Sequence, residues 1–290
     1  MTKVDEKIAR LKETAARKVA ESKASQRAVA TPDRQLKLEL WPEEVRGVPN
    51  AALRTAMFTA GKERVFLKEW TPIASVQGIE ISARGERLNQ HDLDLWEQLL
   101  HLQRLQPLGA RIEFTAHAML KALGRPTGGS SHARLHNDLG SLLTSAIEVR
   151  WIDSRRSFGG TLVSSYFRDE DTDRYVVTFN DETLNLYADG YTWIDPAQRQ
   201  SLGRNLIAKA LHGLYTSHAK PYPYSVDMLW KLCAGSTKRN EFRRLLRTAL
   251  DKLKEIGAVD CWEIDSGDLV HVKRMPTQSQ RKHLVRRKSK

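Results

Sequence analysis

Between Ser225 and Ile256 the apolar positions fall into two stripes of helical period. Val226, Leu229, Trp230 and Cys233 mark a short amphipathic helix, and Phe242, Leu245, Leu246, Ala249, Leu250, Leu253 and Ile256 mark a longer one. Ser225 suits the N-cap of the first, Gly235 its C-terminal stop, and Thr237 or Ser236 the N-cap of the second. Two amphipathic helices joined by so short a turn must cross and share a core, which predicts a helix-turn-helix.

The same periods recur upstream. Short strands are predicted over Glu63–Lys68 and Gln77–Ala83, then a helix over His91–Gln106 whose buried side is Leu93, Trp96, Leu99, Leu100 and Leu105. A second helix covers Thr115–Leu123, and the loop from Gly124 to Ser131 separates it from a third. That third helix runs from Ser131 or His132 to Ala146, with Leu135, Leu139, Leu142, Leu143 and Ala146 as its stripe and Ser130 or Ser131 as its cap. Alternation then predicts strands over Ile147–Trp151, Thr161–Arg168 and Arg174–Asn180. Strands hairpinned directly behind a helix pair form a wing; Arg155 and Arg156 lie at the first hairpin tip, within reach of phosphates, and the second tip, Asp169–Asp173, is acidic and is expected to face away from DNA.

From about Pro196 the plan repeats. A helix carrying Leu202, Leu206, Ala210 and Leu214 precedes the helix-turn-helix, and strands over Ala258–Ile264 and Asp268–Val272 follow it. The halves share architecture with little residue identity. The predicted fold class is α+β: two tandem winged-helix domains, residues 63–192 and 193–275, behind a helical and extended arm, residues 1–62, and ahead of a basic tail, residues 276–290.

In the arm, Val4, Ile8, Leu11 and Ala15 give a thin helical stripe, the pattern of a solvated helix, with a partner-binding helix as the other reading. Thr31-Pro32-Asp33 breaks it. Gln35, Leu36, Leu38 and Leu40 then alternate with Lys37 and Glu39, as an edge strand or a ligand for an apolar groove. The stretch resembles the six-residue Gln-Leu-x-Leu-x-Leu peptide by which bacterial proteins dock on the replicative sliding clamp.

Charge narrows the partner. A formal charge of +12 over 290 residues, with pI near 9.7, calls for a polyanion. The cations sit on patterned helices and tails without a companion aromatic anchor, so nucleic acid is favoured over membrane. On the second helix of the downstream pair, Lys238, Arg239, Asn240, Arg243, Arg244 and Arg247 form the polar side, as on a helix that reads the major groove. The bland alternative is an ordinary solvated basic face. The downstream arginines are expected to read sequence, with His132, Arg134 and Asn137 of the upstream pair and Arg155 and Arg156 of the first wing in a supporting role. Arg274 to Lys290 contains no acidic residue and would add sequence-blind phosphate affinity.

Cys233 and Cys261 fall in apolar runs and are expected as buried reduced thiols, which suits the cytoplasm. No apolar signal core opens the chain and no stretch is long and apolar enough to span a membrane. Phosphate-binding loops, dinucleotide glycine fingerprints and metal-site spacings are missing, so no cofactor, metal or enzymatic activity is expected. His132 and His136 are at i, i+4, but no third ligand accompanies them. Tyr187, Tyr191 and Tyr215 are the conceivable nucleophiles of a strand-transferring enzyme; Tyr215 continues an apolar stripe and reads better as core.

One ordered series of residues is more specific than any of these. Pro49-Asn50 with Arg54-Thr55-Ala56-Met57-Phe58, Phe114-Thr115, Lys220-Pro221-Tyr222-Pro223, Leu232-Cys233-Ala234-Gly235-Ser236 and Asp268 to Arg274 together resemble the TrfA family of plasmid replication initiators, over about residues 35 to 274. The resemblance implies tandem winged helices that bind direct repeats (iterons) at a plasmid origin. It further implies opening of an A+T-rich segment, with contact to its single strand, and recruitment of the host initiator, helicase and sliding clamp. A monomer–dimer equilibrium, copy control and a nucleoid- or plasmid-associated place in the bacterial cytoplasm come with it. The clamp peptide departs from the family's usual Leu-Phe ending, since Leu38 is followed by Glu39-Leu40. The segment ahead of it is short, leaving little room for a further N-terminal region. A winged-helix transcriptional regulator is the competing reading, and a tyrosine recombinase the enzymatic one.

Overall fold

In the computed structural model, residues 42–61, 63–105, 111–187, 189–233, 237–277 and 280–281 are described. The clamp-like peptide from Gln35 to Leu40 and most of the basic tail lie outside them. The order of elements is β1 (Arg46–Pro49), α1 (Asn50–Leu53), β2 (Phe66–Pro72), β3 (Ile79–Glu86), α2 (Gln90–Gln103), β4 (Ile112–Thr115), α3 (Ala116–Ala122) and α4 (Gly129–Thr144). There follow β5 (Ala146–Trp151), β6 (Arg156–Thr161), β7 (Val163–Asp169), β8 (Arg174–Phe179), a 3-10 turn (Asp181–Tyr187), β9 (Tyr191–Ile194), α5 (Pro196–Ser201) and α6 (Leu206–Thr216). The last elements are β10 (Tyr224–Ser225), α7 (Val226–Cys233), α8 (Arg239–Glu255), β11 (Cys261–Ile264) and β12 (Leu269–Lys273).

Local chemistry starts most of the helices. Asn89 and Asp92 form a capping box on α2, Thr115 caps α3 through the Ala118 N–H, and Ser225 caps α7 through that of Met228. Pro196 behind Asp195 opens α5. Three expectations fail at helix ends. α4 begins one turn early behind Gly128 with no side-chain cap, so neither Ser130 nor Ser131 serves. α8 begins behind Lys238, again without a side-chain cap, in place of Thr237; Ser236 and the expected Gly235 stop lie outside the described residues. The single helix expected around Leu202 to Leu214 is two, because Gly203 turns into the left-handed region (φ 57) and Asn205 caps a fresh start.

Two strand–helix–helix–hairpin units share one topology. β4, α3 and α4 are followed by the hairpin β7–β8 in a sheet ordered β4-β8-β7; β10, α7 and α8 are followed by β11–β12 in a sheet ordered β10-β12-β11. The upstream unit also carries a four-stranded antiparallel sheet, β2-β3-β5-β6, and the pair β1-β9. β6 was expected as part of a loop: the Gly159-Gly160 pair lacks the side chains that make a strand legible, yet pairs with Glu148 and Ile147 of β5.

Each unit has its own core. Leu93, Trp96 and Leu99 of α2 and Leu135, Leu139 and Leu142 of α4 pack against Ile147, Val149 and Val177 in the first. Leu211 and Tyr215 of α6, Leu229 and Cys233 of α7, and Phe242, Leu246, Leu250 and Leu253 of α8 make the second. Residues assigned to the arm take part as well. Val48, Ala51, Met57 and Phe58 are buried in the first core and Ala60 in the second, so the segment from Arg46 to Ala60 is a wedge between them. Two expected core positions are on the surface: Leu105, just past α2, is 70% exposed, and Cys261 is exposed on the outer strand β11. None of the helices among the described residues is long and apolar enough to cross a membrane.

Candidate nucleic-acid interface

α8 buries Phe242, Leu246, Ala249, Leu250 and Leu253 and turns the intervening residues outward. Because the buried positions follow a 3.6-residue period, Lys238, Arg239, Asn240, Arg244 and Arg247 are left exposed and Arg243 half-exposed. Most of these cations are engaged. Arg239 stands over the Trp230 ring, its guanidinium carbon 5.4 Å from the centroid, and forms an ion pair with Asp227. The Trp230 indole N–H donates to the Thr237 carbonyl at 2.5 Å, which fixes the ring across the mouth of α8. Lys231 shares Asp227 at 2.9 Å; its hydrogen bond, then Arg239, holds that carboxyl below the usual range. Arg243 pairs with Asp268 at the β11–β12 turn, and Arg244 with Glu241 at 2.5 Å.

The upstream residues are arranged differently. Arg134 and Asn137 are exposed on α4, and His132 lies 3.4 Å from the Asp173 carboxylate. His136 is half-buried, edge-on to Tyr166 with ring centroids 5.6 Å apart and 3.4 Å from the Tyr175 hydroxyl. Among the described residues no group of three or more potential metal ligands occurs. Arg155 and Arg156 are exposed at the β5–β6 turn, but that hairpin belongs to the four-stranded sheet. The hairpin equivalent to β11–β12 is β7–β8, and its turn carries Asp169, Glu170, Asp171 and Asp173. The expectation of a basic first wing is therefore corrected. Strand pairing distant in sequence gives that place to the acidic turn.

A family model described as TrfA protein matches residues 2–274. The chain belongs to the TrfA family. Within it, the Plasmid replication initiator protein TrfA of Escherichia coli is 26% identical over 246 residues, which are 81% of this chain and 63% of that protein. The TrfA-family chain thus spans less than two thirds of that relative's length. Among solved structures, domains 2 and 3 of RctB superpose with a TM-score of 0.53 at 13% identity, covering 78% of this chain and 98% of that one. The Pi initiator protein in complex with iteron DNA matches with a TM-score of 0.47 at 14% identity, covering 63% and 93%. The RctB likeness is one of fold.

The TrfA-family chain joins its two units by a buried polar seam that periodicity did not reveal. Arg199 of α5 donates to Asp94 at 2.7 Å and to Gln90 at 2.8 Å, and Lys209 of α6 reaches the other Asp94 oxygen at 2.6 Å. Glu97, one turn further along α2, stands 3.5 Å from Arg199. Burial pushes the Asp94 carboxyl up, but Arg199 and Lys209 outweigh it and hold it below the usual range. Among the described residues the Glu97 Oε1 has no hydrogen-bond partner, and burial pushes the Glu97 carboxyl up to about 7. The wedge closes the seam: Arg54 donates to the Ser217 hydroxyl at 3.1 Å and Thr59 to the Cys233 carbonyl at 2.9 Å.

Proposed function

We propose that this chain is a non-catalytic plasmid replication initiator that works in the bacterial cytoplasm and binds iterons through two winged-helix units. The observation that carries the reading is the cationic outer face of α8, beside the hairpin of a unit whose topology occurs twice in a TrfA-family chain. A helix that buries one side and offers arginines on the other has the form that enters a major groove. The relative named as a plasmid replication initiator supports the same reading. α8 supplies the sequence-reading residues, foremost Arg239 and Arg243. His132, Arg134 and Asn137 of α4 are supporting contacts, and the basic tail adds phosphate affinity. Origin opening, contact with single-stranded A+T-rich DNA, recruitment of the host initiator and helicase, and clamp docking through Gln35, Leu36, Leu38 and Leu40 complete the proposal. A monomer–dimer equilibrium regulates it.

The test is a duplex enriched by the wild-type protein from a randomised library, compared with its shuffled sequence. Arg243→Ala should weaken the enriched duplex by a factor of about 5 to 150, as expected for losing one bidentate guanine contact of about 1–3 kcal/mol, and the shuffled duplex far less. Equal loss on both would reassign Arg243 to phosphate. A chain that binds its enriched duplex but cannot sustain a plasmid bearing those repeats would be a transcriptional regulator. For the clamp peptide, the Gln35→Ala, Leu36→Ala double variant should abolish binding to the sliding clamp, and binding left intact would remove that partner.

A further inference from the structure

The aspartates that hold the α8 arginines come from two different elements, α7 and the β11–β12 turn, which meet where α7 begins. Asp227 lies in the first turn of α7 and takes Arg239; Asp268 ends the β11–β12 turn and takes Arg243. Neither acid is a chance surface neighbour. Asp227 is fixed by Lys231 one helical turn away, while Trp230 carries the Arg239 guanidinium on its ring face. Asp268 sits in the left-handed region (φ 62), and its carbonyl accepts the Val226 N–H at 2.9 Å, where α7 begins. Asp173 occupies the corresponding place upstream. It is also left-handed (φ 50), its carbonyl accepts the Ala116 N–H at 2.9 Å where α3 begins, and its carboxylate faces His132 of α4 at 3.4 Å. An acid on the hairpin turn that reaches the second helix of the pair is thus part of the unit's plan.

On the reading of α8 as the DNA-contacting helix, we propose that Asp227 and Asp268 are specificity-determining positioning residues that make Arg239 and Arg243 available to bases and poor partners for phosphates. A guanidinium presents five N–H donors in a planar fork. A carboxylate on one edge leaves the other edge free for the O6 and N7 acceptors of guanine, which are neutral and do not repel the acid. A phosphate approaching the same arginine meets a charge already compensated and a carboxylate that repels it. Random duplex, held almost wholly by phosphate contacts and counterion release, loses most from this arrangement. The matched site loses least, because its bidentate base contacts tolerate the acid and gain from an arginine already aimed.

The experiment compares the full-length chain with Asp227→Asn, Asp268→Asn and the double variant. Asparagine keeps the side-chain size and tolerates the left-handed backbone at 268. Glu255→Gln is the control, since Glu255 pairs with Lys252 at the far end of α8 and its removal changes net charge equally. Binding is measured against the enriched duplex and its shuffled sequence over a range of salt, with thermal melting as a check on folding. Each Asp→Asn change should tighten the shuffled duplex on the order of 3- to 10-fold at low salt and steepen its salt dependence by up to about one counterion. The enriched duplex should gain less, so that the ratio of the two affinities falls, while Glu255→Gln leaves the ratio unchanged. A ratio unchanged in the aspartate variants, or shuffled-duplex binding that does not tighten, overturns the inference and leaves the initiator reading standing. A wild-type chain with no preference for its enriched duplex overturns both.

Discussion

Asp94 and Glu97 lie three residues apart on one face of α2 and share Arg199, yet their amides should shift stability in opposite directions. In the folded chain Glu97 holds its proton up to about 7, against an ordinary value of 4.5. Between those two values the folded chain binds more protons than the unfolded one, so ionised Glu97 subtracts from stability. The loss is absent below 4.5, grows as pH rises to about 7 and is constant above it. The gap converts to a penalty of about 3 kcal/mol at alkaline pH. Glu97→Gln removes that penalty, and Arg199 keeps its bonds to Asp94 and Gln90. The variant should therefore gain about 1–3 kcal/mol near pH 8 and nothing near pH 4.5. Asp94 is the reverse case: its folded value is depressed, so its pairs stabilise above the ordinary carboxylate range and fade as pH falls through the folded value. Asp94→Asn strips Arg199 and Lys209 of their shared buried counter-charge and should cost about 3–5 kcal/mol near pH 8. Urea denaturation followed by tryptophan fluorescence, at both pH values, measures all three proteins. If Glu97→Gln destabilises the chain near pH 8 as much as Asp94→Asn does, or if its effect does not depend on pH, the account of the seam is wrong.

Two further outcomes follow from burial. Burial pushes the Cys233 thiol up to about 12, while Cys261 is exposed on β11; a thiol reagent should label Cys261 alone in the native protein and both after denaturation. Mass spectrometry of the labelled peptides decides it. Phe242 is fully buried where α8 meets the second core, so Phe242→Ala should cost about 3–5 kcal/mol in denaturant titrations, and a loss under 1 kcal/mol would mean that the α8 stripe is not what holds the helix in place.

The helices of this chain were legible because their signal is local. A stripe such as Leu246, Leu250 and Leu253 places neighbours on one face whatever the rest of the chain does, and the outward set from Lys238 to Arg247 is the complement of that stripe. The breaks were harder to see. Leu202 and Leu206 keep the spacing of one helix across Gly203, and only the backbone shows the turn between them. Leu105 continues the α2 stripe in sequence but falls beyond the helix end, where it is exposed. The span from Arg46 to Ala60 reads as part of the extended arm because its apolar residues are small or irregularly spaced. It is buried from both sides, which no window along the chain detects.

What the sequence by itself determined is the class of the protein: a mixed α+β chain with two helix pairs, a basic outer face on the second and an ordered set of TrfA-family residues. What only the tertiary structure decided is which groups meet. Hydrogen bonding of β8 to β4 makes the acidic hairpin, and not the one bearing Arg155 and Arg156, the counterpart of β11–β12. The placing of Asp227 and Asp268 beside Arg239 and Arg243 depends on how α7 and a hairpin turn close around α8. Helix periodicity is written in residues three and four apart. Strand partners and counter-charges lie tens of residues apart, and their pairing is fixed only when the cores between them form.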